Sequence, residues 1–544
     1  MVVSLITVVF LSVSVYGLGS GMPSTAWRSR PETITLTYPP GSSVKTLYFL
    51  INSDTNVVGQ ITAESSGGWT ALGYFSSDGY YRWVGKDLGV TTGSIRIDFY
   101  VKGDVYEVVA VNPSGATIPV TGVSGSDPTD HDISHLVDEQ STFEYPPTVR
   151  NEPYFDEIYF VRAAQEYLGM REPTHEWTHP PLGKLIEAAG IAAFSFSPLG
   201  WRLIGVLFAA LIIPVIYVTG KRMFKSKFAA AAAAYLLATD FMHFTMGRLG
   251  TVDTFLVFFS VVSLVFFWAN FEGMMAGRGP SKRDIFLGAI FASLAISVKW
   301  TSVFAVVGQV ALMAFASLYT PAGRSALARL RSMLKPMALT LVSFLAGGVV
   351  YLSTYVPYLM IGHTLSDIYS LQWSMLDFHE MLPPSHPFAS VWATWPLVLR
   401  PIRLTLDYLP NGLVSTISAM GNPLLWWLGL AAVIVAAVKG VQEKKPVLLF
   451  LIAVYLSQIL PYALVSRDTF IYHYYPEVPI LALLVAGLLD EFWAERGSRK
   501  YVLIYLAAVG VAFALFYPVI SGLPIHPSYV EHLRLMRAWD FLGV

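Results

Sequence analysis

Hydrophobic and polar positions follow two different patterns along the 544-residue chain. Between residues 21 and 148 they alternate in short segments such as Glu32–Tyr38 and Ser94–Tyr100, separated by Gly, Ser, Asn and Asp. Alternation with a period of two predicts half-buried β-strands. We therefore expect an antiparallel β-sandwich in this region, compatible with a jelly roll, although no motif determines the strand topology.

From Trp201 onward the chain consists of long apolar runs separated by short polar segments. Each run approaches the roughly 20 residues that cross a bilayer. With the apolar segment Val2–Leu18, which lacks Lys, Arg and a small-residue cleavage site and is therefore interpreted as retained, they predict about eleven transmembrane helices. The ten later spans are predicted near residues 201–220, 228–246, 252–271, 284–299, 301–319, 337–361, 422–438, 446–465, 476–490 and 501–521.

These patterns divide the chain into five parts. We assign residues 1–20 to the first transmembrane helix, 21–148 to the β-domain, 149–200 to a loop, 201–523 to the transmembrane domain and 524–544 to a tail. Within the loop, the segments 155–168 and 182–196 have helical spacing, and the second carries Lys184 and Glu187. Both are interpreted as amphipathic helices that lie on the outer face of the membrane and surround the acidic pair Asp156 and Glu157.

Lys and Arg cluster in five alternate loops, which begin near residues 221, 278, 324, 439 and 496. Cytoplasmic loops of membrane proteins carry an excess of these residues. The alternation predicts a multi-pass protein of the cell membrane, with its β-domain, its acidic pair and its C-terminal tail on the extracytoplasmic side.

Composition agrees with a polytopic membrane protein: 54% of the residues are hydrophobic and only 13% are charged, against about 25% charged in soluble domains. The net charge of -1 argues against a nucleic-acid partner, which needs a basic face. The chain has no cysteine. Disulfides, thiolate catalysis and cysteine-based zinc sites are therefore excluded.

Several ionisable residues lie at the predicted extracytoplasmic ends of spans. Charges in such places usually face a cavity or a partner, and four cations near an acidic pair suit an anionic ligand carried by the membrane, such as a lipid phosphate. Other interpretations remain open: a lysine at a helix end can extend to the interface, an Arg–Asp pair can be structural, and a histidine among tyrosines can belong to an aromatic belt. The residues concerned are Arg202, Arg248, Asp253, Lys299, Arg467 and His473.

An ordered set of motifs resembles the protein O-mannosyltransferases, a family of GT-C membrane glycosyltransferases. The resemblance runs from Phe155 to about Leu523. The acidic pair alone is weak, but the ordered set is specific. Its motifs are Asp156-Glu157, Thr178-His-Pro-Pro-Leu-Gly-Lys184, Trp201-Arg-Leu203, Gly247-Arg-Leu249, Asp253-Thr-Phe-Leu256, Ser297-Val-Lys-Trp300, Trp395-Pro-Leu-Val-Leu-Arg-Pro401, Gly421-Asn-Pro-Leu-Leu-Trp-Trp427 and Tyr472-His-Tyr-Tyr-Pro476.

The chain departs from the eukaryotic members of this family, which carry a β-trefoil MIR domain in a large loop. Here the corresponding loop, 362–420, has no room for one, and a β-domain follows the first span instead. The chain therefore looks like a prokaryotic, archaeal-type member, and the resemblance supports the donor and the chemistry better than the acceptor.

The resemblance implies an inverting transfer of mannose from a polyprenyl (dolichyl) phosphate to Ser or Thr hydroxyls of a protein. It assigns Asp156 as the base that accepts the hydroxyl proton, with Glu157 in a supporting role in acceptor or loop positioning. No metal and no cofactor are implied, because cationic side chains can stabilise the leaving phosphate. The expected partners are the bilayer, the lipid-linked donor and an acceptor peptide, and dimer formation is left open. The phosphate-binding candidates are Arg202, Lys299, Arg467, His179 and Arg248; further substrate-site candidates are Asp253, Tyr472 and His473.

Two competing functions are kept. A related GT-C enzyme could use another lipid-linked sugar, or a lipid or envelope glycan as acceptor. A secondary transporter could also carry charges within its spans, but no internal repeat is visible and the charges gather toward one face. Two local assignments also stay open: 362–400, with His379 and His386, as a lid, and the aromatic cluster 80–83 as either a sugar-stacking surface or core.

Overall fold

The chain folds into an N-terminal β-domain and a helical domain, as the hydrophobic pattern predicts. The computed structural model describes residues 1–53, 55–318, 326–381 and 386–543, with only the backbone at 326–330. Helix α1 (Val2–Val15) precedes the β-domain and packs against the first long helices of the helical domain.

The β-domain is antiparallel throughout, which confirms the antiparallel strands predicted from period-two alternation, although one continuous sheet stands where a sandwich of two sheets was expected. Its strands form one hydrogen-bonded sheet in the order β1-β6-β2-β5-β3-β4, with β7 beside β6 and β8 beside β2. The strands are β1 (Trp27–Ser29), β2 (Glu32–Asn52), β3 (Val57–Ser65), β4 (Gly68–Ser77), β5 (Arg82–Phe99), β6 (Gly103–Val111), β7 (Thr117–Ile118) and β8 (Gly122–Gly125).

The long strands β2 and β5 join the two halves of this sheet. Their register shifts between Thr37 and Ser42, at a Pro-Pro-Gly sequence whose Gly41 has φ 76°. Before this irregularity β2 pairs with β8, and after it β2 pairs with β6. The sheet thereby bends over its own apolar core, in which Phe49 and Phe75 stack at 4.1 Å.

Two helices connect the β-domain to the helical domain: α2 (Glu157–Leu168) and α3 (Leu182–Phe194). Both were predicted as helices, and the structure packs them between the sheet and the next helix. Tyr81 and Trp83 of the β-domain share a buried apolar cluster with Ile191 and Trp201. These two aromatic residues of the 80–83 cluster are therefore core residues.

The helical domain contains the remaining elements. The helices are α4 (Pro198–Phe224), α5 (Lys227–Ala238), α6 (Phe241–Gly247), α7 (Asp253–Met275), α8 (Lys282–Val298), α9 (Val303–Leu318), α10 (Ala326–Ser353), α11 (Val356–Met360), α12 (Leu365–Met381), α13 (Pro423–Gln442), α14 (Pro446–Ile459), α15 (Val478–Ala494), α16 (Arg499–Ser521) and α17 (Pro527–His532), and a hairpin of β9 (Ile402–Tyr408) and β10 (Val414–Ala419) precedes α13.

Seven helical segments of the described chain are long and apolar enough to cross a membrane. They correspond to α4, α7, α9, the part of α10 from Arg331 to Ser353, α13, α14 and α16. The other four predicted spans correspond to helices of 12 to 17 residues, namely α1, α5, α8 and α15. A membrane domain is thus established, while the total of eleven crossings stays a prediction.

The predicted span 228–246 is interrupted in the structure. Helix α5 ends at Ala238, and Asp240 begins α6 by accepting a hydrogen bond from the His243 backbone N–H at 3.0 Å. The same carboxylate accepts from the indole of Trp426 at 2.8 Å. The prediction of one continuous helix was wrong because an aspartate that caps one helix and also binds a distant tryptophan is not visible as a break in hydropathy.

Candidate active site

A cavity of about 770 Å³ lies among α8, α9, α10 and α12. Its wall is largely apolar, with a small group of polar side chains, which is the usual composition of a ligand site. Segments 178–180 and 464–467 complete the wall. The apolar side chains of the wall include Ile296, Trp300, Phe304, Phe344, Leu376 and Leu464.

Arg467 is the cation in this wall whose charge is least compensated. Among the described residues no carboxylate lies within ion-pair distance of its guanidinium; Arg467 donates to Nδ1 of His379 at 3.1 Å. The other ring nitrogen of His379 donates to the Thr178 carbonyl at 3.0 Å. Burial and the nearby His179 and Arg467 lower the pKa of His379 to about 4. At neutral pH His379 is therefore an uncharged support for Arg467.

His179 is presented to the cavity by a buried ionic cluster. Its Nδ1 lies 2.7 Å from Oε1 of Glu176, and its ring lies 5.1 Å from that of His379. Burial would raise the pKa of Glu176, but Lys184 and His179 outweigh it and lower that pKa to about 2. The Lys184 ammonium also donates to the carbonyls of Glu176 and His179, at 2.6 and 2.7 Å. This explains the motif from Thr178 to Lys184: its lysine closes the loop that carries the histidine.

Lys299 follows the last residue of α8 and lines the same cavity. Its ammonium lies 3.0 Å from Oδ1 of Asp253, the first residue of α7. It also lies 5.9 Å from the ring centroid of Tyr472. Asp253 thus neutralises part of the charge of Lys299 and acts as its ion-pair partner.

Asp156 stands immediately before α2 and is held there by an unusual backbone. Phe155 has φ 52°, a left-handed conformation that aromatic residues rarely adopt. The Asp156 backbone carbonyl accepts the first bonds of the helix. Within the described chain, however, no hydrogen bond or ion pair engages its carboxylate. A half-buried carboxylate without partners is available for chemistry.

The surroundings of Asp156 connect it to the cavity, although it is not part of the cavity wall. Burial raises the pKa of Asp156 to about 7; Lys299 opposes this shift, whereas Asp253 and Glu176 add to it. The Phe155 ring lies 6.0 Å from that of Tyr472. Burial and the charges of Asp156 and Asp253 raise the pKa of Tyr472, while Arg467 opposes them. Tyr472 is therefore close enough to Asp156, Asp253 and Arg467 for their charges to act on it.

Glu157 and Arg202 form a buried ion pair away from this cavity. Glu157 is 0% and Arg202 1% exposed, and their closest atoms are 2.7 Å apart. The guanidinium also donates to the carbonyls of Leu18, Val149 and Glu152 at 2.6 to 2.9 Å. The structure gives no support to the prediction of Arg202 as a phosphate ligand, because its donors are already used. Glu157 also accepts from the Gly250 backbone N–H at 2.9 Å, so its place is that of a residue that positions loops.

Arg248 is likewise committed to the fold. Its guanidinium donates to carbonyls at the end of α1, including Ser14 at 2.8 Å and Tyr16 at 2.9 Å, and to Ser521 at 3.2 Å. The structure therefore gives no support to its prediction as a ligand of the donor phosphate. It holds α1 against the end of α16.

His473 packs among aromatic rings. It is stacked on Trp395 at 6.1 Å, and its Nδ1 lies 3.1 Å from both the backbone nitrogen and the carbonyl of Phe470. This placement favours the structural interpretation. Of the ten candidates from the sequence, the structure brings His179, Lys299 and Arg467 into one wall and places Asp156, Asp253 and Tyr472 beside it.

Sequence reasoning missed Glu176 as a site residue. It lies three positions before His179, a spacing that places two loop residues within reach of each other, but nothing in the sequence distinguishes it from a solvated acid. In the proposed lid, Leu376, His379 and Glu380 line the cavity. Residues 382–385 of that segment lie outside the described chain.

Two family profiles match the chain. Residues 177–361 match "Dolichyl-phosphate-mannose-protein mannosyltransferase", and residues 364–539 match "C-terminal four TMM region of protein-O-mannosyltransferase". Together they cover the cavity and nearly all of the helical domain. The chain belongs to the protein O-mannosyltransferase family.

Curated members of this family match over most of their length. The polyprenol-phosphate-mannose–protein mannosyltransferase of Mycobacterium tuberculosis is 27% identical, over 69% of this chain and 84% of its own. The protein of the same name from Corynebacterium glutamicum is 24% identical, over 72% of this chain and 89% of its own.

A solved structure of the family has the same helical fold. The Saccharomyces cerevisiae protein O-mannosyltransferase Pmt1-Pmt2 complex bound to the sugar donor superposes with a TM-score of 0.60 at 13% identity. The match covers 71% of this chain and 89% of that chain. At this identity the similarity establishes the GT-C fold alone, and confirms the fold class expected from the sequence.

Proposed function

We propose that this chain transfers mannose from a polyprenyl phosphate to Ser or Thr hydroxyls of proteins, with inversion at the anomeric carbon. It is a glycosyltransferase of the protein O-mannosyltransferase family, and its relatives are named for a polyprenol-phosphate-mannose donor and a protein acceptor. One observation carries the site assignment. Among the described residues, a cation without an acidic partner lines an apolar cavity, and a carboxylate without a hydrogen-bond or ion-pair partner lies near it.

The donor fits the cavity by its two chemical parts. A prenyl chain is apolar and suits the wall formed by α8, α9 and α10. A phosphate carries negative charge and prefers forked guanidinium donors. Arg467 supplies those donors without competition from a carboxylate among the described residues, and Lys299 and His179 lie in the same wall.

The acceptor hydroxyl requires a base. In the proposed step its proton passes to the Asp156 carboxylate while its oxygen bonds to the anomeric carbon. The bond from that carbon to the phosphate oxygen breaks, and the lipid phosphate leaves with its electron pair. A base whose pKa lies near the working pH is the most effective one, and the pKa of Asp156 is raised to about 7.

Charge stabilisation at the leaving group follows from the same arrangement. Negative charge develops on the phosphate as the bond breaks, and fixed cations in a largely apolar wall stabilise it more strongly than water does. The hydrogen bond to His379 holds the Arg467 guanidinium in position, so its side chain needs little reorganisation when charge develops on the phosphate. The proposal therefore assigns this role to side chains and requires no metal.

The proposal places the reaction on the extracytoplasmic side of the membrane. Its support is the alternation of Lys- and Arg-rich loops along the sequence, which are expected on the cytoplasmic side. The β-domain and Asp156 belong to the segments expected on the other side of the membrane. A protein acceptor would then meet the enzyme as a folded or emerging extracellular chain. Dimer formation stays a prediction, and so does an acceptor that offers Ser or Thr hydroxyls.

The test compares wild type with Asp156→Asn, using purified protein in lipid, polyprenyl-phosphate-mannose and a Ser/Thr-rich peptide. Mannosyl-peptide is quantified by mass spectrometry. We expect transfer by wild type and a loss of about 10²–10⁴-fold in the variant, the usual contribution of general base catalysis. Because no described residue bonds to the carboxylate and burial disfavours its charge, the amide should not lower the thermal midpoint of unfolding.

Asp377→Asn is the matched control, since Asp377 is an exposed residue of α12 close in sequence to His379. It should retain wild-type transfer. Full transfer by Asp156→Asn would remove Asp156 from the base role. Donor binding without any transfer to peptide by wild type would direct the search to another acceptor, such as a lipid or envelope glycan.

A further inference from the structure

Three carboxylates converge in the β-domain, and none of them lines the cavity of the candidate active site. Glu107 lies on β6, and Asp138 and Glu139 lie in the loop that follows β8. One oxygen from each lies within 4.8 Å of the others. Carboxylate oxygens on opposite sides of a Ca²⁺ ion are separated by about this distance, since each lies 2.3–2.6 Å from the ion.

Glu107 is the member that distinguishes this cluster from an ordinary acidic surface. Its side chain is 0% exposed. One oxygen, Oε2, accepts a hydrogen bond from the Glu139 backbone N–H at 2.9 Å. The other, Oε1, is buried and has no hydrogen-bond partner among the described residues. A buried carboxylate with an oxygen that lacks a donor, in a cluster with two more carboxylates, favours a cation or a proton as its partner.

The surrounding groups hold the carboxylates in place without neutralising them. Glu139 accepts from the backbone N–H groups of Ser24 and Thr25 at 2.7 and 3.1 Å. The Thr25 hydroxyl lies 2.9 Å from Glu139 and 3.2 Å from both oxygens of Asp138. In the part of the chain that the structure describes, no Lys, Arg or His forms an ion pair with any of the three. The cluster is thus ordered and anionic.

The donor set indicates the class of cation. Three carboxylates and adjacent hydroxyl groups offer only oxygen, which hard divalent cations prefer, whereas zinc and copper sites use His or Cys. Without a cation, burial and the two neighbouring acids raise the pKa of Glu107 to about 9. A proton on Glu107 is therefore the competing occupant.

We propose that Glu107, Asp138 and Glu139 bind one Ca²⁺ ion that fastens the segment after α1 to the β-domain. The ion would join β6 and the 138–139 loop at the point where Ser24 and Thr25 are also held. Next to this point the Tyr81 hydroxyl donates to the Pro23 carbonyl, and Tyr81 packs against Trp201 of α4. The site is therefore a structural clamp between the β-domain and the membrane domain, separate from the transfer chemistry.

The test uses the full-length protein in detergent, stripped with EDTA and then titrated with CaCl₂ at constant ionic strength. Thermal unfolding is followed by tryptophan fluorescence, with MgCl₂ as the parallel titration. Extracellular calcium modules bind with Kd values of about 10⁻⁴–10⁻³ M. At roughly ten times the Kd, we expect the unfolding midpoint to rise by about 2–4 °C, and we expect direct binding measurements to give one ion per chain.

Glu107→Gln keeps the shape of the side chain and removes its charge, and should weaken Ca²⁺ binding at least about tenfold. Asp138→Asn, at an exposed position, is the second variant in case the buried substitution prevents folding. Glu64→Gln, an exposed glutamate of β3, is the matched control and should respond like wild type. The proposal is overturned if Ca²⁺ does not stabilise wild type, if Mg²⁺ binds in preference, or if the cluster variants respond as strongly as the control.

Discussion

Arg202 and Arg467 are two arginines that the sequence presents in the same way and the structure uses in opposite ways. Arg202 is 1% exposed and donates to one carboxylate and three backbone carbonyls. Arg467 lines a cavity and donates to a neutral histidine. The difference teaches that an arginine binds a ligand only with donors that the fold has not already engaged.

The acidic pair shows the same contrast between neighbours. Glu157 is fully buried and bonds to Arg202, Trp201 and the Gly250 backbone. Asp156, one residue earlier, makes no bond through its carboxylate to any described residue. Glu157 stabilises the fold and Asp156 remains available to react, although the two are adjacent in sequence.

The largest effect should come from breaking the buried pair. Arg202→Met leaves Glu157 charged and without its partner, which typically costs about 3–5 kcal/mol of folding free energy. We expect a large drop in the thermal midpoint and in the yield of folded protein. The comparison uses Arg496→Met, an exposed arginine near the end of α15. Normal stability of Arg202→Met would show that the pair does not support the fold.

Substitution of Arg467 should produce the reverse pattern, with activity lost and stability retained. Arg467→Met removes a charge from the leaving phosphate, and we expect kcat/KM for the lipid donor to fall about 10²–10³-fold. The kcat/KM of Arg467→Lys should lie between those of wild type and Arg467→Met, because an ammonium keeps the charge but lacks the forked donors of a guanidinium. The unfolding midpoint is the second measurement. A stable variant with full transfer would end the assignment.

The pH profile should show Asp156 as a base. Because its pKa is raised to about 7, the carboxylate is protonated below that pH, and kcat/KM should fall about tenfold per pH unit there and level off above it. The stability effect has the opposite direction: a raised acid pKa favours the protonated folded state, so this contribution is lost as pH rises from about 4 to 7. Wild type should therefore lose stability relative to Asp156→Asn over that range. An activity profile that is flat between pH 5 and 8 would contradict the assignment.

The smallest effect should come from His379, a positioning residue. His379→Leu removes the acceptor that holds Arg467, and the loss of one hydrogen bond to a charged group is worth roughly tenfold or somewhat more. His379→Gln can still accept from Arg467 and donate to the Thr178 carbonyl, so we expect it to restore most of the donor kcat/KM. Equal defects in the two variants would show that the imidazole has another role.

Local periodicity accounts for the parts of the fold that were predicted. Period-two alternation predicted the antiparallel domain, and runs of apolar residues predicted helices at every proposed span. Each of these signals is carried by residues close together in sequence. The interruption at Asp240 was not predictable, because its cause includes a hydrogen bond to Trp426, 186 positions away.

The sequence by itself determined the membrane class, the two-part organisation and, through its ordered motifs, the family. It also supplied the candidate groups, since His179, Lys299, Arg467 and Asp156 were all named from it. Only the tertiary structure separated these from Arg202, Arg248 and His473. The physical reason is that residue type states what a side chain can bind, whereas its remaining capacity depends on partners that reach it from distant parts of the chain.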